Sequence, residues 1–581
     1  MAKYILGISC FYHDAAAALI KDGVVVSAAQ EERFTRIKFD ESFPKNAIEY
    51  CLSEGKISAK ELDAVVFYEK PLLHLNRIIM TSILDWPASY KFFIQAIPVW
   101  MKYKLWFPLL MKWHFDYNKT INYTMHHLSH AASAYYPSGF LDAAVLTVDA
   151  VGEWESVTIW RAKGVNMKKI ASLEIPNSLG LLYSTITSYL GFHVNNGEYK
   201  VMGLAPYGKD TYLNKLKKLI EINKDGSFSL VKKYFTFTNP KKMYTNELIK
   251  LLGIPPRLGE SPINQKHKDI AKSLQTLLEE ILDNIAVYIK KQIPTENLCY
   301  AGGVALNCVA NTAVFKKHFK KIYIQPAAGD SGGAVGCALY YYFNYIDKNL
   351  KKTTNPMSTI YLGPSFTDKE ILTILKKYKI KYKIFTDNRQ LNKQVAEMID
   401  KQNIVGWFKG RMEYGPRSLG NRSILADPRN KENWQRVNLK IKYRESFRPF
   451  APALLFDDLQ KYIEWKDPSP YMLFTGQVKT NTIPAVTHVD GSARFQTVQK
   501  EANAKFYSLL NEFKKQTGCS VLINTSFNVR GEPIVCTPRD AIYCFFNTEM
   551  DILVMNNTLI DKKENTHLSK NNFKQYGKFI D

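Results

Sequence analysis

One layout occurs twice in the first third of this chain, and it narrows the available folds more than any other feature. The apolar run Tyr4-Ile5-Leu6-Gly7-Ile8-Ser9 is followed by residues 15–20 and 24–28, with Lys21-Asp22-Gly23 between the last two. Asp-Gly between apolar runs signals a tight hairpin, because both turn positions tolerate positive φ. The second copy covers residues 142–160. Ala143-Ala144-Val145-Leu146-Thr147-Val148 ends at Asp149, Gly152 supplies a turn, and 156–160 return as a strand. Two strand, polar loop, strand units, each followed by helical sequence, predict a duplicated α/β architecture. Such loops can face a nucleotide from opposite sides, and two unrelated hairpins are the plainer alternative.

Later segments extend this pattern. Residues 298–300 read as a strand, Gly302-Gly303 as a tight turn and 305–314 as helical. Glycines at a strand-to-helix turn expose amides that suit a ribose or phosphate. Residues 322–325 read as another strand, and a glycine-rich loop over 326–333 leads into a helix at 334–342. Asp330 in that loop can reach a ligand or metal, or simply cap the helix with Ser331. The densest chemical signal is Met125-His126-His127-Leu128-Ser129-His130, which holds three of the 11 histidines. A helix starting there puts His126 and His130, at i and i+4, on one face, where two ring nitrogens can meet one divalent metal. A structural or capping cluster would account for the pair equally well.

A chain of 581 residues is too long for one ordinary core, so two or three domains are expected. A polar run at 347–358 marks a boundary, and beyond it the character changes. Seven arginines fall between Gly410 and Arg448: Arg411, Arg417, Arg422, Arg429, Arg436, Arg444 and Arg448. A guanidinium fork matches phosphate or carboxylate bidentately, which lysine cannot do. Any one of these arginines can belong to a structural ion pair, but the group predicts a polyanion site. Polar turns at 488–494, with Arg494, and 524–533, with Asn524, Asn528 and Arg530, add to it. The tail from Asp561 is polar and reads as peripheral.

Net charge is +24, with the lysine surplus spread over many segments. That balance fits nucleic acid, an anionic membrane or anionic substrates, and a compositional bias is the plainer explanation. The eight cysteines form no CxxC pair and sit in apolar surroundings, as reduced core thiols of a cytoplasmic protein do. No signal peptide is expected, and no run of 18 uncharged apolar residues, the length that would span a bilayer, occurs. The segment 83–115, with Trp86, Trp100, Trp106 and Trp113, is broken by Asp85, Lys91, Lys102, Lys104 and Lys112. It reads first as an amphipathic cap and second as a peripheral membrane contact.

These motifs together resemble the NodU/CmcH/TobZ-type O-carbamoyltransferases over nearly the whole length. The matching pieces are Tyr12-His13-Asp14-Ala15-Ala16, Gln30-Glu31-Glu32-Arg33-Phe34-Thr35-Arg36, His126-His127-Leu128-Ser129-His130, Val148-Asp149 with Gly152-Glu153, and Gly302-Gly303-Val304-Ala305-Leu306-Asn307. In the second half they are Gly410-Arg411-Met412-Glu413-Tyr414-Gly415-Pro416-Arg417, Phe447-Arg448-Pro449-Phe450 and Asn524-Thr525-Ser526-Phe527-Asn528. The resemblance implies an actin-like ATPase-type domain over 1–356, related to threonylcarbamoyl transferases, and an α+β YrdC-like domain over 357–581.

By the same resemblance the second domain makes carbamoyladenylate from carbamoyl phosphate and ATP, with Mg2+. The first domain transfers the carbamoyl group to an acceptor hydroxyl on a small molecule, sugar or glycolipid. The implied metal is Fe(II), or another divalent ion, on His126, His130 and Asp330, with His13 and Asp149 as catalytic groups. Gly302, Gly303, Asn307, Arg411, Arg417, Arg444, Arg448, Arg494, Asn524, Asn528 and Arg530 are the implied nucleotide and anion contacts. A homodimer is carried as an expectation, and no nucleic-acid partner is expected. The rival readings are a tRNA threonylcarbamoyl transferase-like enzyme, which the positive charge favours, and a non-enzymatic nucleotide-gated scaffold. A metallopeptidase is disfavoured, because no glutamate stands between His126 and His130 to act as base.

Overall fold

The computed structural model describes residues 2–102, 104–223, 225–239, 242–350 and 355–568. They form two compact units, one of residues 1–28 with 41–358 and the other of residues 29–40 with 359–581. The segment 29–40 groups with the second unit.

The first unit contains two five-stranded sheets of the same topology. One comprises β1 (Tyr4–Ser9), β2 (Ala16–Lys21), β3 (Val24–Gln30), β4 (Ala64–Phe67) and β5 (Ile121–Tyr123), in the order β3-β2-β1-β4-β5. The first strand pairs antiparallel with β2 and parallel with β4, and β5 continues the parallel side. The other sheet begins with β6 (Asp142–Val148), β7 (Glu155–Lys163) and β8 (Asn166–Glu174). After a small hairpin of β9 (Ile220–Ile222) and β10 (Phe228–Leu230), it is completed by β11 (Asn297–Ala301) and β12 (Lys321–Ile324), in the order β12-β11-β6-β7-β8. Here too the first strand has an antiparallel neighbour, β7, and a parallel one, β11, with β12 beyond. The duplication expected from sequence is therefore present. Between β2 and β3, Asp22 (φ 48°) and Gly23 (φ 81°) make the two-residue turn that Asp-Gly favours.

Helix His126–Tyr135 follows the last strand of the first sheet, and helix Asp330–Tyr341 follows the last strand of the second. The two helices pack backbone to backbone. A Cβ on Gly336 would stand 1.8 Å from the Ser129 carbonyl oxygen, and one on Gly7 would stand 1.9 Å from that of Ala334. The small residues of this region therefore set how closely two helices and a strand approach. The helical stretch expected at 334–342 starts four residues earlier than the sequence suggested, at Asp330. The region 305–314 is helical, with a 3-10 turn at Gly303–Leu306, a break at Asn307 and then a helix from Cys308 whose middle, Asn311–Phe315, widens to π geometry.

The second unit is built on an eight-stranded mixed sheet. Its strands are β13 (Lys383–Ile384), β14 (Val405–Phe408), β15 (Arg422–Ala426), β16 (Ala451–Leu455), β19 (Gln496–Val498), β20 (Val521–Ser526), β21 (Ile552–Met555) and β22 (Thr558–Asp561). The order is β13-β22-β21-β14-β15-β20-β16-β19, and a side ribbon pairs β17 (Thr475–Gln477) with β18 (Ser492–Arg494). Trp407, Leu425, Leu454, Leu522 and Leu553 lie in its core with Leu509 and Phe513 of helix Ala504–Thr517. In segment 29–40, Arg36 donates to the carbonyls of Ile534 (2.6 Å) and Pro533 (2.7 Å) and to Glu532 (3.0 Å). Arg33 donates to the Gly415 carbonyl at 2.8 Å. All eight cysteines are buried free thiols. No described helix is long and apolar enough to cross a membrane.

Candidate metal centre and anion site

The i, i+4 spacing acts as expected. His126 and His130 present their Nε2 atoms to the same point, 3.1 Å apart. Two carboxylates meet them there. Asp149, just past the end of β6, places Oδ2 3.3 Å from His126 Nε2 and 3.0 Å from His130 Nε2. Asp330, the first residue of its helix, places Oδ1 3.8 and 3.5 Å from the same atoms. The four candidate ligand atoms lie within 4.8 Å of one another, and all four residues are buried. Asp330 does not cap its helix. Gly329 occupies the cap without a side-chain bond, and neither Asp330 oxygen has a hydrogen-bond partner.

Two neutral imidazoles and two carboxylates carry the charge that one divalent cation cancels. The Asp330 oxygens, 1 % exposed and 3.5–3.9 Å from the ring nitrogens of His130, His126 and His13, are left for such a cation to satisfy. The donor set therefore fits a divalent metal, with nitrogen and oxygen ligands suited to iron, zinc or manganese. Asp149, assigned to catalysis on resemblance, stands as close to the imidazoles as Asp330 does.

The surrounding charges act strongly on the histidines. Burial disfavours their imidazolium forms, yet Asp330 and Asp149 outweigh it, raising His126 and pushing His130 up to about 9. Burial likewise opposes ionisation of both carboxylates, but the histidines hold Asp149 and Asp330 below the ordinary range. His13 has Nδ1 3.3 Å from Asp14 and Nε2 3.9 Å from Asp330. Against burial, those carboxylates push it up to about 10. The carboxylates thus favour the protonated form of the histidine expected from sequence to be near neutral.

The third histidine turns away. His127 Nδ1 bonds Thr147 Oγ1 at 2.7 Å, and burial holds its pKa well down. Glu153 accepts the His126 amide at 2.9 Å and the Lys70 amide at 2.9 Å, so it fixes the start of the histidine helix. The Gly152-Glu153 pair was visible in sequence, but its anchoring role was not. Gly302 adopts φ 91°, and a Cβ there would lie 2.2 Å from the Val148 carbonyl. The Gly303 amide reaches Asp149 Oδ1 at 3.3 Å, so the double-glycine turn touches the cluster directly. Asn307 instead caps the next turn and exchanges hydrogen bonds with Gln275.

In the second unit the arginines separate by role. Arg429 pairs with Asp427 and Asp400, and Arg436 forks onto Asp551. Arg422 is fully buried, donates to the carbonyls of Gly410 and Pro364, and lies 3.7 Å over Phe408. Arg411 holds the Leu362 and Gly363 carbonyls. Each of these four has protein partners. Arg444 and Arg448 are different. Burial lowers the pKa of each, and neighbouring guanidiniums add to it: Arg448 and Arg494 act on Arg444, and Arg417 and Arg530 act on Arg448. Arg444 also donates to Asn438 Oδ1 at 2.7 Å and lies 4.6 Å over Phe450. The positive charges acting on Arg444 and Arg448 outnumber the Glu445 counter-charge, and a bound anion would relieve them.

Two of the expected contact residues bond within the protein. Asn528 receives Lys442 and Ser526 on Oδ1 and donates to the Glu532 carbonyl, while Asn524 donates to Gln496 at 2.8 Å. Lys442, missed in the sequence, is buried, and burial with Arg444 nearby holds its pKa well down. Glu413 was also missed. One of its oxygens accepts the amides of Leu419, Asn421 and Arg422 and so shapes the turn that carries Arg417.

Residues 4–339 match the family model described as carbamoyltransferase N-terminus, and residues 396–562 match that described as carbamoyltransferase C-terminus. An uncharacterized protein of Synechocystis is 46% identical over 96% of this chain and 97% of its own length. The nodulation protein NolNO of Sinorhizobium fredii is 34% identical over 95% of this chain and 79% of its own. A 3'-hydroxymethylcephem-O-carbamoyltransferase of Amycolatopsis lactamdurans is 31% identical over 62% of this chain and 64% of its own.

Proposed function

We propose that this chain, which belongs to the carbamoyltransferase family and is a transferase, carries out ATP-dependent O-carbamoylation in two steps, one in each unit. The observation that carries the reading is the buried His126, His130, Asp149, Asp330 cluster, with the guanidinium group of the second unit as its counterpart. The acceptor is a hydroxyl of a small molecule, sugar or glycolipid.

In the second unit, water releases carbamate and phosphate from carbamoyl phosphate. A carbamate oxygen then attacks the α-phosphorus of ATP and expels pyrophosphate, leaving carbamoyladenylate. Arg417, Arg444, Arg448, Arg494 and Arg530 hold the phosphates through charged forks. In the first unit, the acceptor oxygen attacks the carbamoyl carbon, the bond to AMP breaks, and the hydroxyl proton leaves to a base. Nitrogen donation makes a carbamoyl carbon a poor electrophile, so the adenylate leaving group lowers this barrier.

A divalent metal held by His126, His130, Asp330 and Asp149 would supply Lewis acidity for negative charge developing on oxygen. His13, beside Asp330, is the proton-handling group nearest the cluster, and such transfer usually contributes roughly 100- to 10,000-fold. Glu153 keeps the histidine helix in place, and the Gly303 amide orients Asp149.

The test is release of pyrophosphate and AMP from ATP. Pyrophosphate should appear only with carbamoyl phosphate, and AMP should rise with a hydroxyl acceptor drawn from a panel of sugars, glycolipids and alcohols. Pyrophosphate release that ignores carbamoyl phosphate would overturn the reading, and so would turnover that requires tRNA.

A further inference from the structure

Exposed large apolar side chains are not scattered over this protein. Half of those among the described residues fall between Leu72 and Trp113. Helix Pro71–Leu84 shows why. It turns Pro71, His74, Ile78 and Ser82 inward, and it turns Leu72, Leu73, Ile79, Met80, Ile83 and Leu84 out to solvent. The buried polar groups are satisfied: His74 meets Glu69 at 2.9 Å, and Ser82 donates to the Ile78 carbonyl at 2.7 Å. This is an amphipathic helix facing the wrong way for water, with Leu84 and Trp113 each 73 % exposed.

Charge and aromatic content indicate what covers it. Between Pro71 and Phe115 the sequence carries Arg77, Lys91, Lys102, Lys104 and Lys112 against the acid Asp85, with Lys104 buried in an ion pair with Glu69 at 2.7 Å. Lys91 and Lys112 are exposed, while Asp85 is engaged by Thr238 at 3.3 Å. Trp86, Trp106 and Tyr90 join the exposed set. Apolar anchors, indoles and the two exposed lysines complement an anionic lipid surface, where the rings sit at headgroup level. None of the described helices can span a bilayer, so the segment lies on it.

We infer that residues 71–113 form a docking face for an anionic lipid bilayer. The inference stands apart from the carbamoylation reading, because none of these residues belongs to the metal or anion cluster. The full chain should float with phosphatidylcholine vesicles containing phosphatidylglycerol, float less with phosphatidylcholine alone, and be released by salt. Ile83→Asp with Leu84→Asp should lower partitioning at least ten-fold, and Lys91→Glu with Lys112→Glu should remove the preference for anionic vesicles. Carbamoyl-phosphate-dependent pyrophosphate release, or the thermal transition if that activity is absent, should stay unchanged and show that the variants are folded. Failure of the wild type to float at low salt would overturn the inference. So would full binding by folded Ile83→Asp, Leu84→Asp protein, or a wild-type dimer that this variant splits, since a second copy would then cover the face.

Discussion

Replacing Gly336 by alanine tests how the metal cluster is positioned without touching any of its ligands. The new Cβ would fall 1.8 Å from the Ser129 carbonyl oxygen, against an ordinary contact of 3.4 Å or more. That oxygen belongs to the helix of His126 and His130, and Gly336 to the helix of Asp330, so neither side is a flexible side chain that can swing away. The two helices must separate by about 1.5 Å, and overpacking of this kind usually costs roughly 1–3 kcal/mol. Asp330 Oδ1 already stands 3.5 Å from His130 Nε2. The same displacement would carry it out of a shared coordination sphere, and bound metal should drop at least ten-fold. Gly259→Ala is the control, since its Cβ meets only the Gly191 oxygen at 3.8 Å. Metal content by elemental analysis and unfolding by urea would be measured on both. A Gly336→Ala protein that keeps full metal and wild-type stability would refute the close-packing argument.

Other expectations follow from the charges. His126→Ala and Asp330→Ala should each reduce bound divalent metal at least ten-fold in folded protein, by elemental analysis after dialysis. The chelator-treated protein should be most stable near pH 6.5. The raised pKa values of His130 and His13 stabilise it fully below 6.5 and lose that contribution as pH rises toward about 9 and 10. The depressed values of His74, pushed down to about 3, and His127 act oppositely, losing stability as pH falls below 6.5. Each group contributes a slope of roughly 1.4 kcal/mol per pH unit, and urea unfolding across pH 5–10 showing a steady rise to pH 9 would contradict this. Arg448→Ala should weaken carbamoyl phosphate or ATP binding by roughly 2–5 kcal/mol, with Arg448→Lys recovering only part, by calorimetry. Equal binding in all three proteins would remove the arginine from the site.

Much of this was legible from sequence because it depends on local periodicity. The Asp22-Gly23 turn, the strands that open each sheet and the i, i+4 histidines all follow from spacing within ten residues. What was not legible depends on pairing between distant parts. Nothing local shows that Asp149 completes the cluster, because its place is set by where β6 ends beside the histidine helix. Nothing in Arg33 or Arg36 shows that segment 29–40 packs with residues 415 and 532–534 of the second unit. The arginine run could not be divided by sequence alone. Only carboxylate neighbours such as Asp551 and Asp427 separate Arg436 and Arg429 from the crowded group around Arg448.

The division of chemistry between the two units is tested most directly by carbamoyladenylate itself. Labelled carbamoyl phosphate and ATP would be mixed with His130→Ala and with Arg448→Ala protein and quenched in a single turnover. The expected result is labelled carbamoyladenylate that accumulates without transfer in His130→Ala, and none formed in Arg448→Ala. Loss of the adenylate in folded His130→Ala protein, or its normal formation in Arg448→Ala, would contradict the assignment of one step to each unit.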